Sequence, residues 1–248
     1  MATHPEKRGL IVEFMGCTGA GKTTLAQGTV HRLRAQGVVV REGSHAGSSV
    51  LLTLENALGT PVWFLALLRD WSRCGPHLRA TWSALRGRVA SPFWTAARAY
   101  ATIRLLGRHA RYARAARGHV AVVDEGVLVT APLAFCGNRP APPQPLERFV
   151  AAAALPDVIV WVDAPLDVLV DRTLSRRDLP RELRSRPRDQ VRTYLAQVRT
   201  LFRTLAEAPR IAGRVISLWN PTAPPRDRYA LAERAADAIR RRLDAWPA

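Results

Sequence analysis

The chain has 248 residues, 48% of them hydrophobic and 23% charged, which is enough to bury one large core and excludes a disordered or fibrous protein. Its 37 lysines and arginines stand against 20 acids, a formal net charge of +17. That charge draws nucleic acid, anionic membranes or phosphorylated small molecules without choosing among them, and a GC-rich genome that inflates arginine and alanine accounts for it equally well.

Taken in chain order, Leu10–Met15 reads as a buried strand. Gly16-Cys17-Thr18-Gly19-Ala20-Gly21-Lys22-Thr23 follows it, a complete G-x-x-x-x-G-K-[ST] phosphate-binding loop. Lys22 is one of two lysines, with Lys7, in a chain whose other basic residues are all arginine. A compact ammonium on a flexible stem lies along nucleotide phosphates where a planar guanidinium does not fit. Thr24 to Gln36 reads as a helix stopped by Gly37, completing the strand, turn and helix arrangement that wraps a phosphate in backbone N–H groups. Gly16, Gly19, Ala20, Gly21, Lys22, Thr23 and Thr24 are therefore the expected nucleotide-binding residues.

Val38–Arg41 is the second expected strand. A helical insert over about 50–118 comes next, with eleven arginines, two acids (Glu55 and Asp70) and four of the seven tryptophans. Gly75-Pro76 and Ser91-Pro92 are expected to divide it into three helices. Arg104, Arg108 and Arg111 make a basic stripe, and Trp63, Trp71, Trp82 and Trp94 are expected in the insert's core. His119–Asp124 is the third strand and ends in Asp124-Glu125. A carboxylate at such a strand end suits a hydrated magnesium ion, so Asp124 and the Thr23 hydroxyl are the expected metal ligands; Glu125 is a candidate base. Arg139 to Pro145, with four prolines, reads as a surface loop.

Asp157–Asp163 and Arg214–Trp219 are the last two strands, and Ala232, Ala236, Ile239 and Leu243 form the apolar stripe of the final helix. Between them lies an arginine-rich lid, about 172–190, in which Arg172 and Arg176 share a helical face and Arg177 is adjacent. Such a cluster suits the negative charge that spreads over a moving phosphoryl group. Strands alternating with helices predict an α/β fold of the P-loop NTPase type: a five-stranded parallel sheet with helices on both faces, in one domain over 1–248. Cys17, Cys74 and Cys136 are odd in number and lack a CxxC pair, which speaks against disulfides or zinc and for a reducing cytoplasm. The first apolar run is short and contains Glu13, unlike a signal peptide, and Val62–Leu68 is too short to span a bilayer.

On these motifs the chain resembles the thymidylate kinase-like branch of the nucleoside-monophosphate kinase family. Arg41-Glu42-Gly43 is similar to that family's Arg-Glu-Pro-Gly-Gly, and Pro156-Asp157-Val158 through Asp163, Pro165 and Arg172-x-x-x-Arg176-Arg177 are similar to its fourth strand and lid. The resemblance implies an ATP and Mg²⁺ donor complex and donor or transfer roles for Lys22, Thr23, Asp124, Arg172, Arg176 and Arg177, with Arg41 and Glu42 as the expected acceptor contacts. The chain departs from the family at Met15 (an acid there), at Thr18-Gly19 (Asp-Gly), at Asp124-Glu125-Gly126 (Asp-Arg-Tyr/Ser) and at Cys136 (the base-reading glutamine). The family's core chemistry is expected, and thymidylate specificity is not.

The leading expectation is thus a cytoplasmic ATP-dependent kinase for a small acceptor, anionic in view of the basic insert, with a homodimer left open. An ATPase or switch using Asp124-Glu125 is the second reading, and a nucleic-acid or membrane-surface binder the third. A GTPase is disfavoured, because neither Lys7 nor Lys22 lies in an Asn-Lys-x-Asp sequence.

Overall fold

The computed structural model describes residues 9–42, 61–86, 92–115, 119–136, 143–176, 179, 183–221 and 225–245. Its centre is a five-stranded sheet of β1 (Leu10–Met15), β2 (Val40–Glu42), β3 (Val120–Val123), β4 (Val158–Asp163) and β5 (Val215–Trp219). The order is β2-β3-β1-β4-β5, and every pairing is parallel. Parallel strands need crossovers, and the helices that make them bury both sheet faces, so the inner strands are almost wholly apolar, with Glu13 in β1 and Asp163 at the end of β4 as the exceptions. All six residues of β1 are buried, and so are all four of β3.

Helix α1 (Lys22–Ala35) packs against α10 (Pro225–Asp244), the final helix. Its end matches the expected stop, with Gly37 at φ 77 just beyond it. The α10 stripe is seated as expected: Ala232, Ala236 and Ile239 are buried and Leu243 packs at the edge. The two helices touch where Gly28 meets Ala232; a Cβ at Gly28 would stand 2.9 Å from the Ala232 Cβ. Gly28→Leu is expected to force them apart and cost about 1–3 kcal/mol, read as a lower melting temperature.

The insert holds α2 over 61–69, α3 (Trp71–Leu85) and α4 (Pro92–Ala115). One expected break falls elsewhere. α3 runs straight through Gly75-Pro76. The chain turns instead at Asp70, whose N–H reaches the Ala66 and Leu67 carbonyls at 3.1 and 3.2 Å. Pro76 lies in the second turn of α3, where its missing N–H costs one helical bond, and the Trp71 ring covers Gly75. The second expected break is present, since α4 begins at Pro92, a position where the fixed φ of proline suits a helix start. The tryptophans also differ from expectation. Trp63 is buried, whereas Trp71, Trp82 and Trp94 are 43%, 36% and 44% exposed.

α4 lies over the sheet face that carries Ile11 and Ala121, which its Tyr112 and Ala113 cover. A single 3₁₀ turn (Val127–Val129) then leads into α5 (Thr130–Phe135), followed by α6 (Pro143–Ala152). After β4 come α7 (Leu166–Leu174), α8 (Arg188–Glu207) and the short α9 (Pro209–Ala212). The proline-rich loop expected at 139–145 lies largely outside the described residues; α6 already begins at Pro143.

Candidate phosphate-binding site

β1 is the middle strand, and its two neighbours, β3 and β4, continue in opposite directions across the sheet. A crevice forms above such a switch point at the carboxyl ends of the strands, and the Gly16–Thr23 loop sits there. Gly19 and Gly21 have φ of 84 and 94, a region that L side chains rarely adopt, and a Cβ on Gly19 would come within 2.7 Å of the Leu169 carbonyl oxygen. Side chains from two other elements hold the loop from outside. The Thr173 hydroxyl of α7 donates to the Thr18 carbonyl at 3.1 Å, and Asn220 Nδ2, just past β5, donates to the Ala20 carbonyl at 2.8 Å. In a trans peptide the next N–H points opposite the carbonyl, so the Gly19 and Gly21 amides turn the other way. No acid occupies the first turn of α1, where Thr23 and Thr24 are exposed, and a helix start of this kind favours an anion.

Lys22 Nζ bends over the loop and donates to the Gly16 and Cys17 carbonyls at 2.9 and 3.0 Å. Burial pushes its pKa down, and the Glu125 charge works most strongly against that shift, with Asp124 adding to it and Arg176 opposing. Asp124, Glu125 and Arg176 therefore all lie near enough to Lys22 for their charges to act on it. Asp124 is buried directly after β3, and Glu125 is partly buried beside it.

Two residues that the sequence reading passed over fix this Asp124-Glu125-Gly126 turn. Glu13, buried in the middle of β1, accepts the Val127 N–H at 3.0 Å and the Leu128 N–H at 2.8 Å. Gly126 leaves the room for it; a Cβ there would lie 2.2 Å from the Glu13 carboxyl. His77 of α3 works from the other side. Its Nδ1 accepts the Ala154 N–H at 3.2 Å, which leaves Nε2–H to donate to Thr130 Oγ1 at 2.9 Å, and the Thr130 hydroxyl donates to the Val127 carbonyl at 2.6 Å.

These buried groups give the fold a pH signature. Burial pushes Glu13 up to about 8, against the pull of its two N–H donors, and pushes His77 and His109 down to about 3. Between the ordinary carboxyl value of 4.5 and about 8, Glu13 keeps a proton that the unfolded chain has lost, so its contribution falls as pH rises. The two histidines act oppositely: between about 3 and 6.5 they refuse protons that the unfolded chain takes, so their contribution falls as pH drops. These windows overlap between pH 4.5 and 6.5, where two histidines outweigh one carboxyl, so stability is expected to peak near pH 6.5, as read by urea unfolding across pH.

The lid arginines are placed unequally. Arg172 Nη1 lies 3.5 Å from both the Gly19 and Asn220 carbonyls, and burial lowers its pKa with the Arg228 charge adding to the effect. Arg176 follows α7 and acts on Lys22, as noted, while Arg177 lies outside the described residues. Arg188 and Arg192 pair with Asp171 and Asp167 at the surface. Arg199, which the sequence reading did not single out, makes a bidentate bond to Asp163 at 2.8 and 2.9 Å and so fixes the turn from β4 into α7.

Arg41 and Glu42 sit at the end of the edge strand β2, opposite Ala121 and Val122. Both are exposed, and Glu42 takes the Arg34 guanidinium of α1 at 2.6 Å. Cys136 is buried, as is Cys17, whose thiol burial pushes up to about 12.

The donors at the loop fit a magnesium ion that keeps most of its waters and takes the rest of its shell from phosphates: the Thr23 hydroxyl and the buried Asp124 carboxylate, both oxygen. Among the described residues no three His, Cys, Asp or Glu side chains form an all-protein metal cage. A cleft of about 390 Å³ lies at the other end of the strands, lined by Arg73, Arg210 and Arg214. Those guanidiniums donate to the Leu155, Val150 and Pro156 carbonyls and brace the approach to β4. It is separate from the loop.

Strand order, glycine loop and lysine together define a P-loop α/β fold. No protein-family model matches the chain, and no curated protein does. Among solved structures it is similar to shikimate kinase from Bacteroides thetaiotaomicron, at 14% identity over 93% of this chain and 98% of that one, with a TM-score of 0.45.

Proposed function

We propose that the protein is an ATP-dependent phosphotransferase acting on a small hydroxylated or phosphorylated acceptor: a nucleotide, a nucleoside or another metabolite. The observation that carries this reading is the glycine loop with Lys22 bent over it at the carboxyl ends of the strands, where the charges of Asp124, Glu125 and Arg176 act on that lysine. In-line phosphoryl transfer asks little of a protein beyond positioning and charge stabilisation, and these residues supply both. The loop amides and Lys22 hold the donor phosphates. Thr23 and Asp124 hold the hydrated Mg²⁺, which offsets the charge of the donor when bound. Glu125 takes the proton from the acceptor hydroxyl, and Arg172 and Arg176 steady the group in transit.

The motifs resemble those of the thymidylate kinase-like branch, but Cys136 and Asp124-Glu125-Gly126 stand where that branch reads its acceptor, so thymidylate specificity is not supported. ADP release measured over a panel of nucleotides, nucleosides and sugars, with Lys22→Ala as the blank, tests the reading. One acceptor should stimulate release well above the rest; uniform turnover across the panel counts against it. Glu125→Gln is expected to lower kcat by about 10²–10⁴-fold with little change in ATP affinity. A Glu125→Gln protein that traps ATP in an oligomer would favour the ATPase reading instead.

A further inference from the structure

α2 is apolar on both sides. Its inner side, Trp63 and Leu67, is buried, and Trp63 backs onto Gly107 of α4. Its outer side carries Val62, Phe64, Leu65 and Leu68, each about half exposed (48–52%), and Trp71, the first residue of α3 just past the Asp70 turn, is 43% exposed. A surface helix of a globular protein places polar residues on that side, so an outward row of four large apolar residues over about 9 Å marks a contact surface. Arg69 alone interrupts it with a charge.

The charge of the insert as a whole says what this face meets. Over 61–86 and 92–115 it has nine arginines and a single acid, Asp70, and of the arginines Arg69, Arg79, Arg86, Arg111 and Arg114 are exposed. A second copy of the same face would bring guanidiniums against guanidiniums across a seam with almost no acid to pair them. A nucleic acid would use the arginines, but aliphatic Val62, Leu65 and Leu68 offer its bases no stacking surface. An anionic lipid bilayer uses both features: acyl chains take the aliphatic row, the headgroup region suits Trp71, and the lipid phosphates attract the arginines.

The geometry points to the outer face of α2, together with Trp71, as a docking surface for an anionic phospholipid bilayer. The protein lies on the membrane through this face and does not cross it; no helix among the described residues is long and apolar enough to span. The inference is independent of the phosphotransferase reading.

The test is co-sedimentation of the full chain with phosphatidylcholine vesicles, with and without phosphatidylglycerol, at low and high salt. Wild-type protein is expected to bind the phosphatidylglycerol vesicles and to show tryptophan quenching by brominated lipid. Leu65→Glu and Leu68→Glu, at half-exposed positions, should each weaken binding about tenfold or more while melting at the wild-type temperature. Trp71→Phe is a milder change for use if either variant fails to fold, and it should remove most of the quenching. Three results overturn the inference. The first is binding that neither glutamate variant nor Trp71→Phe alters, which leaves only nonspecific charge. The second is a concentration-dependent dimer that Leu65→Glu abolishes, which gives the face to a second copy. The third is duplex RNA or DNA bound at high salt with vesicles ignored.

Discussion

Lys22→Ala is expected to lower acceptor-dependent ATP turnover by roughly 10²–10³-fold, since a preorganised donor aimed at developing phosphate charge is worth about that much. No other residue can take over. The only other lysine is Lys7, and the guanidiniums near the loop, Arg172 and Arg176, are planar groups that do not lie along nucleotide phosphates as a compact ammonium does. The fold should survive, because the ammonium is desolvated and bonded only to two loop carbonyls. Steady-state kinetics with a thermal melt separates the effects: kcat collapses while the melting temperature moves by little. A variant with wild-type turnover would remove the loop from the chemistry.

Glu13→Ala is the second large effect, and it acts on stability and rate together. It strands the Val127 and Leu128 N–H groups inside the protein, at an expected cost of about 2–5 kcal/mol. Glu13→Gln is expected to be only partly better. A protonated carboxyl still has an acceptor lone pair on each oxygen, whereas an amide presents its NH₂ to one of two N–H donors. The Asp124-Glu125-Gly126 turn would then lose its anchor, so kcat should fall more than KM rises in whichever variant folds. Urea unfolding together with kinetics checks both parts. Glu13→Gln indistinguishable from wild type in each would mean that Glu13 neither holds nor positions the turn.

The sheet was legible in the sequence because its inner strands are buried on both faces and read as apolar runs. β1 was placed to the residue at Leu10–Met15, and the others differ from expectation only at their ends. The loop was legible because its glycines and lysine form a local pattern, with every needed residue inside eight positions. What supports the loop was not local. Thr173 and Asn220 lie 155 and 200 residues from the carbonyls they hold, and neither residue type at those positions announces a contact. Glu13 did leave a signal, an acid within a six-residue apolar strand, but read alone it served only to exclude a signal peptide. The insert was misread in its particulars. Gly75-Pro76 carries a break signal that the Trp71 ring and an early helix position override, and Trp71 and Trp82 were assigned to a core although the structure places them at the surface.

The fate of the γ-phosphoryl tests the central claim most directly. With γ-labelled ATP and the acceptor that most stimulates ADP release, the label should appear on that acceptor in a one-to-one ratio with ADP, and Lys22→Ala should produce neither. Label recovered only as inorganic phosphate, at a rate no acceptor changes, would contradict the account and make the protein an ATP hydrolase.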